Sequence, residues 1–172
     1  MGPGNSQSDR GSLPGSFSDT YDRALRLLEF RARSEAELRR KLMQKGAAAA
    51  HVDAVIVRLR EQKLIDDAEF ARQFARTKLV VAGASRRRIV QELARKGVPP
   101  HVSDRAIADL RDLEAIDQSA AIQRVAEKKW NALRKLDDFT RRRRLYAFLA
   151  RRGFDSDEIK GVMSELGAET EA

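Results

Sequence analysis

Residues 89–97 read IVQELARKG, and the same frame returns as LRRKLMQKG at 38–46 and as LYAFLARRG at 145–153. Aligning Gly46, Gly97 and Gly153 places Leu42, Leu93 and Leu149 four residues before each glycine, and Leu38, Ile89 and Leu145 eight before. Thirteen residues after each glycine stand Leu59, Leu110 and Leu166. Ile56, Ile107 and Met163 lie three before those leucines, beside Val55, Ala106 and Val162. The glycines are spaced by 51 and 56 residues. Self-similarity at such periods marks tandem helical repeats, and agreement at six positions in three copies is not a chance pattern.

No segment sustains a period-two alternation, and Ala, Leu, Arg, Glu and Lys dominate, so strands are not expected. Each repeat reads as three helices. The first holds Ala24, Leu27 and Leu28 in repeat one, Phe70 and Phe74 in repeat two, and Ile122, Val125 and Trp130 in repeat three. The second stops at the aligned glycine, which adopts the left-handed conformation of a helix end without penalty. The third carries the stripe that ends at Leu59, Leu110 or Leu166. The expected fold is all-α, three tandem three-helix repeats in an elongated, curved array. Its expected divisions are a disordered tail at 1–18, repeats at 19–65, 66–113 and 114–167, and a short tail at 168–172.

Helix starts carry their own signals. Ser34 with Glu37, Asp66 with Glu69 and Asp155 with Glu158 are capping boxes, and Ile65 with Phe70 is a hydrophobic staple. Pro99 and Pro100 suit the first turn of a third helix. Linkers are nearly absent, so the array is expected to be semi-rigid.

Cysteine is absent from the 172 residues, which removes disulfide frameworks and thiolate metal sites. No apolar run approaches the roughly 18 residues of a membrane helix, and no signal peptide opens the chain. A cytoplasmic protein with no membrane association is expected. The first 18 residues, rich in Gly, Ser and Pro, lack the apolar surface to order themselves.

The net charge of +8 is unevenly placed. Ser34–Gly46 carries +2, Ser85–Gly97 +4 and Arg141–Gly153 +6, while the remainder of the chain carries −4. Positive charge belongs to the second helix of each repeat, as it does in a polyanion-binding surface. At about 100° per residue, the apolar stripe of repeat two centres on Ile89 and Leu93, and Arg87, Arg88 and Arg95 fall on the opposite face. The aligned residues of repeat three are Arg143, Arg144 and Arg151; those of repeat one are Ala36, Glu37 and Gln44. These six arginines are the candidate binding residues. The bland alternative is a solvated face that keeps a helical protein soluble; two aligned copies with few nearby acids favour binding. Guanidinium forks suit phosphate and carboxylate oxygens alike, so the target is nucleic acid or an acidic protein groove. Lys45, Lys96 and Arg152, one before each glycine, read instead as cations at helix C-termini. Among aromatics near the basic residues, Tyr146 and Phe148 are candidates for base stacking, with Phe148 nearer the core stripe.

Catalytic signals are lacking: no phosphate-binding glycine loop occurs. His51 and His101 open third helices without neighbouring ligands. Asp66, Asp67, Asp137 and Asp138 read as helix boundaries. No enzyme activity, metal or cofactor is expected.

The stretches RSEAELRRKLMQKG (Arg33–Gly46), VIVRLREQKLIDDAEFARQFAR (Val55–Arg76) and RRRIVQELARKGV (Arg86–Val98) resemble the RecX family. Arg33, Ser34, Glu37, Leu38, Lys41 and Leu42 match its first motif. Leu64, Ile65, Asp66, Asp67, Phe70 and Ala71 match the second, and Ile89, Glu92, Leu93, Lys96 and Gly97 the third. The resemblance spans about residues 20 to 167 and is looser in repeat three. It implies an all-helical regulator of the RecA recombinase that binds along the groove of the RecA–DNA filament. Such a protein dampens ATP hydrolysis, strand exchange and the co-protease activity that relieves repression of the SOS response to DNA damage. It implies RecA and the backbone of single- or double-stranded DNA as partners, and no catalytic residues. We expect a monomer that occupies the groove and blocks the second duplex without chemistry of its own. The rivals are a stand-alone helix-turn-helix-like nucleic-acid-binding protein contacting the phosphate backbone, a nuclease, and a structural adaptor.

Overall fold

The computed structural model describes residues 15–114 and 118–168. Its described residues are helical, with no strand, and fall into two compact units, Met1–Asp66 and Asp67–Ala172. The first contains α1 (Phe17–Phe30), α2 (Glu35–Gln44) and α3 (Ala49–Glu61). The second contains α4 (Asp67–Arg76), α5 (Arg86–Arg95) and α6 (Pro100–Glu114), followed by α7 (Gln118–Ala132), α8 (Asp138–Ala150) and α9 (Ser156–Ala168). The three-helix repeat is therefore present three times, once in the first unit and twice in the second.

The leucine and the glycine of the repeated frame are joined by one hydrogen bond. Gly46, Gly97 and Gly153 have φ of +82°, +82° and +92°. Each lets the next residue's N–H fold back onto the carbonyl of the frame leucine: Ala47 to Leu42 at 3.2 Å, Val98 to Leu93 at 3.1 Å, Phe154 to Leu149 at 3.4 Å. The glycine N–H groups bond to the carbonyls one residue further on, of Met43, Ala94 and Ala150. This double closure satisfies carbonyls that a helix end leaves unpaired. Ala47, Val98 and Phe154 are buried as a result, and the same three leucines are fully buried. One local motif thus ends the second helix and directs the chain back into the core.

Starts are equally determined. Ser34 Oγ accepts from Glu37 N at 3.1 Å, and Ser85 Oγ from Arg88 N at 3.2 Å. Asp155 Oδ1 accepts from Glu158 N while Asp155 N donates to Glu158 Oε2 at 2.8 Å, a complete capping box. α6 opens on Pro100, with the Pro99 carbonyl accepting from Val102 and Ser103. α1 starts at Phe17 because Ser16 Oγ accepts from Asp19 N at 3.1 Å, so the helix reaches two residues into the segment expected to be tail. α9 likewise takes in Ala168, the first residue of the second expected tail. Residues 1–14 and 169–172 of the two expected tails lie outside the described residues, as do 115–117 at the start of the expected third repeat.

Each repeat has its own core. In the first, Ala24 packs with Leu38, Leu42, Val52, Val55, Ile56 and Leu59. In the third, Ile122, Ala126 and Trp130 pack with Leu145, Leu149, Ile159 and Leu166. In the second, Ala71 and Ala75 form the buried face of α4, Leu79 continues it beyond the helix end, and Phe70 and Phe74 pack half-buried beside it. Alanines let α4 lie close against α6, which leaves the larger rings on the flank.

The family-motif residues of repeat one are likewise structural. Arg33 is buried, and its Nε donates to the Leu27 carbonyl at 3.1 Å near the end of α1. Burial, then the neighbouring Arg31, pulls its pKa below the ordinary arginine value. Glu37 accepts from both terminal nitrogens of Arg31 at 3.2 Å.

A feature without a sequence signal follows α4. Residues Thr77–Val81 continue it as π-helix, with Ala82 N donating to the Thr77 carbonyl at 3.3 Å. This wide turn positions the carbonyls of Val80 and Ala82, both of which serve the joint described next.

Candidate polyanion-binding surface

α5 and α8 carry the candidate arginines, and the two helices meet end to start. Ser85, at the head of α5, donates its N–H to the Arg152 carbonyl at 3.0 Å. Arg88 donates from its guanidinium to the Arg151 carbonyl. Both acceptors belong to the unpaired carbonyls at the end of α8, where partial negative charge accumulates. The arrangement is reciprocal. Arg152 Nε donates to the Ala82 carbonyl and Arg124 to the Val80 carbonyl, each at 3.1 Å, closing the π turn after α4. Repeats two and three therefore share a joint in which each helix end is capped by the other repeat.

The joint is tight around two glycines. A Cβ on Gly153 would lie 2.6 Å from Ser85 Oγ and 2.8 Å from Arg88 Cβ. One on Gly83 would lie 2.3 Å from Val125 Cγ1.

These contacts divide the six candidates. Arg88 does not project freely: it bridges Glu92 Oε1, 2.9 Å from its Nε, and the end of α8. Its position on the outer flank of α5 is as the periodicity indicates, but the next repeat approaches that flank. A single-helix wheel contains no information about that approach. Arg87, Arg95, Arg143, Arg144 and Arg151 are exposed, and their side chains form no hydrogen bond or close ion pair among the described residues, although the charge of Arg143 helps, after the bonds from Thr140, to lower the Asp137 pKa. The structure thus leaves five unpaired guanidiniums on two helices, beside a joint held by a sixth.

The surrounding charges have structural partners. Lys78 Nζ stands 2.6 Å from Glu92 Oε2, so Glu92 is shared between Lys78 and Arg88. Burial works to raise the Glu92 pKa, but the hydrogen bonds from Lys78 and Arg88 outweigh it and hold the carboxyl below its ordinary value. Arg152 lies over the Phe148 ring, 3.7 Å from its centroid. Burial, then the nearby charges of Arg88 and Arg151, lowers its pKa. Lys96 lies over Phe70 and Phe74 at 5.9 and 5.4 Å. Arg152 and Lys96 therefore do more than face a helix end: each covers an aromatic ring.

The run Arg141–Arg144 is divided as well. Arg141 stacks 3.5 Å from the Trp130 centroid and donates twice to the Trp130 carbonyl, at 3.1 and 3.0 Å. Arg142 pairs with Asp138 at 2.6 Å. Arg143 and Arg144 remain outward. The helical period splits four consecutive arginines into an inward pair and an outward pair.

Among the aromatics, Phe148 is part of the third core, whereas Tyr146 stands at the surface. Phe139, which the sequence does not distinguish from a core residue, is 75% exposed. His51 Nδ1 donates to the Gly15 carbonyl at 2.6 Å, and His101 is exposed. Among the described residues, no three His, Cys, Asp or Glu side chains gather where a metal ion could be held, and no helix is long and apolar enough to cross a membrane.

Three family models match the chain: RecX first three-helix domain at residues 21–59, second at 66–107 and third at 116–163. A protein of Pelodictyon phaeoclathratiforme named Regulatory protein RecX is 36% identical over 143 residues, covering 83% of this chain and 86% of that protein. One of the same name from Mycobacterium sp. (strain JLS) is 37% identical, covering 98% of this chain and 94% of the relative. The crystal structure of RecX from Lactobacillus salivarius superposes with a TM-score of 0.72 at 22% identity, covering 88% of this chain and 97% of that one. A second RecX crystal structure gives 0.71 at 24% identity, covering 86% and 73%. At those identities the two structures speak to the fold alone.

Proposed function

The chain belongs to the RecX family, and from that premise we propose that it is a non-enzymatic regulator of the RecA recombinase. It lies in the groove of the RecA–DNA filament and inhibits RecA ATPase, strand exchange and co-protease activity. The repeats at 19–65, 66–113 and 114–167 each touch a neighbouring recombinase subunit or the DNA backbone. The protein acts in the cytoplasm, as a monomer and without a cofactor.

The observation that carries this reading is the set of five exposed, unpaired guanidiniums, Arg87 and Arg95 on α5 with Arg143 and Arg144 on α8 and Arg151 at its C-terminal cap. Arg–carboxylate and Arg–phosphate pairs are charge-assisted and frequently bidentate, so such a surface suits a nucleoprotein polymer that offers both groups. Arg88 contributes by holding α5 against the end of α8, which fixes the spacing of the two arginine sets. Occupying the groove excludes a second duplex and resists the subunit rearrangements of ATP turnover.

Titration of the protein into a recombinase ATPase assay on single-stranded DNA tests the reading. Dose-dependent inhibition at constant DNA supports it, and unchanged turnover at saturating protein removes it. The stand-alone DNA-binding reading is separated by filter binding across a salt series. A steep salt slope with no effect of added recombinase favours that alternative. On α5 the outward residues are arginines with Gln91 as the one exposed amide among them, a composition suited to backbone contact more than base reading.

A further inference from the structure

Phe139, Arg143, Tyr146 and Ala150 follow one another on α8 at steps of four, three and four residues. At about 100° per residue they lie within roughly 60° of one another on the helix surface. All four are exposed, Phe139 at 75% and Tyr146 at 39%. The Tyr146 hydroxyl stands 3.1 Å from Ser156 Oγ, which ties the ring to the start of α9.

The other aromatic rings of the second unit are covered. Phe70 and Phe74 stack on each other beneath Lys78 and Lys96. Trp130 is covered by Arg141, Phe148 by Lys129 and Arg152, and Phe154 is buried. Phe139 and Tyr146 have neither a ring nor a cation over them among the described residues. This unit repeatedly places a cation over a half-exposed ring, yet leaves two rings bare beside an unpaired guanidinium.

We propose that Phe139 and Tyr146 are a stacking platform for unpaired nucleobases, with Arg143 between them on the phosphate backbone. The proposal rests on the reading that α8 faces nucleic acid. Ring faces bind bases of any identity because every base presents a π-face, and the guanidinium supplies the fork for phosphate oxygens. Seven residues of helix separate the rings by about 10 Å along the axis. That spacing is about three times the roughly 3.4 Å rise between stacked bases, so bases on the two rings are not stacked on each other. A duplex keeps its bases within its own stack and offers these rings nothing, so the ligand is single-stranded. Tyr, Phe and Arg also occur at protein interfaces, but Asp138–Arg152 carries six arginines against one acid, Asp138, which pairs with Arg142, a charge that favours a polyanion. The equivalent positions of repeat two carry no rings: Gly83, before α5, and Val90 stand where Phe139 and Tyr146 do. Base stacking is thus confined to repeat three, while α5 contacts phosphates alone.

The test is fluorescence anisotropy of the full chain, without recombinase, on labelled oligothymidylate and on an abasic oligonucleotide of equal length and charge. Wild-type protein is expected to bind oligothymidylate tenfold or more tightly than the abasic strand. Phe139→Ala with Tyr146→Ala should erase that preference without changing abasic affinity, the salt slope or helicity by circular dichroism. Phe139→Trp and Tyr146→Phe keep a ring at each position and should retain the preference. Arg143→Ala should weaken both strands and flatten the slope of log K on log salt by about 0.7. Equal wild-type affinity for the two strands, or an equal loss on both in the double variant, would overturn the proposal. If the double variant loses recombinase inhibition while keeping the preference for oligothymidylate, the stripe is a protein contact and stacking is wrong. If the preference is present but wild-type protein leaves recombinase turnover unchanged, the regulator reading fails and the stacking site stands.

Discussion

The amide of Ser85 donates to the carbonyl of Arg152 across 3.0 Å, so the first residue before α5 closes the last turn after α8. Ser85 is buried and its hydroxyl meanwhile caps its own helix through Arg88 N. The joint between repeats two and three is therefore built from helix-end groups that would otherwise need water.

Gly153 is predicted to tolerate a side chain much less well than Gly46. Both have positive φ, but a Cβ at Gly46 meets nothing within 4 Å, whereas one at Gly153 meets Ser85 and Arg88. Gly46→Ala should cost about 1–2 kcal/mol from backbone conformation alone. Gly153→Ala should add roughly 1–3 kcal/mol of overpacking. Urea unfolding of the two variants measures the difference, and equal losses would show that the joint gives way freely.

Neighbouring arginines should separate in the same assay. Arg88→Ala removes hydrogen bonds to Glu92 and to the Arg151 carbonyl and should destabilise by about 1 kcal/mol, since half-exposed charged contacts are screened. Arg87→Ala touches no such partner and should stay within about 0.5 kcal/mol of wild type.

Glu92 should give the chain an acid-sensitive component. Its folded pKa lies below the ordinary value because Lys78 and Arg88 hold the carboxylate. A depressed carboxyl contributes stability that is complete above its unfolded pKa of about 4.3. That contribution is lost as pH falls below 4.3 and through the folded value. Glu92→Gln should be less stable at neutral pH and should show a shallower fall in stability below pH 4.3. Parallel wild-type and variant curves through that window would contradict the pairing.

Much of the fold was legible because its signals are local. The frame leucine and the glycine four residues on are the two ends of a single helix-closing motif, and both are needed within nine residues of sequence. The caps at Ser34 and Asp155, and the helix boundary at Asp137, whose carboxylate accepts from Thr140 N, are similarly short-range. The π turn at Thr77–Val81 was not legible: TKLVV continues an ordinary helical pattern, and its carbonyls acquire a purpose only when Arg124 and Arg152 arrive from the next repeat. The candidate surface was legible in part. Periodicity identifies which residues leave the core, and Arg87, Arg95, Arg143, Arg144 and Arg151 do so. It does not identify what another repeat brings to the same flank, which is why Arg88 reads as free and is engaged. Phe139 was missed because its exposure is set by which helices pack on α8, which one helix's sequence does not contain.

The central claim is that the outward guanidiniums of α5 and α8 hold the protein on the recombinase filament. Inhibition of recombinase ATPase by a variant with Arg87, Arg95, Arg143, Arg144 and Arg151 all changed to Glu tests it most directly, with Arg88 left in place to keep the joint. The account predicts wild-type helicity with inhibition lost at concentrations where wild-type protein is saturating. Undiminished inhibition by the folded variant would contradict it.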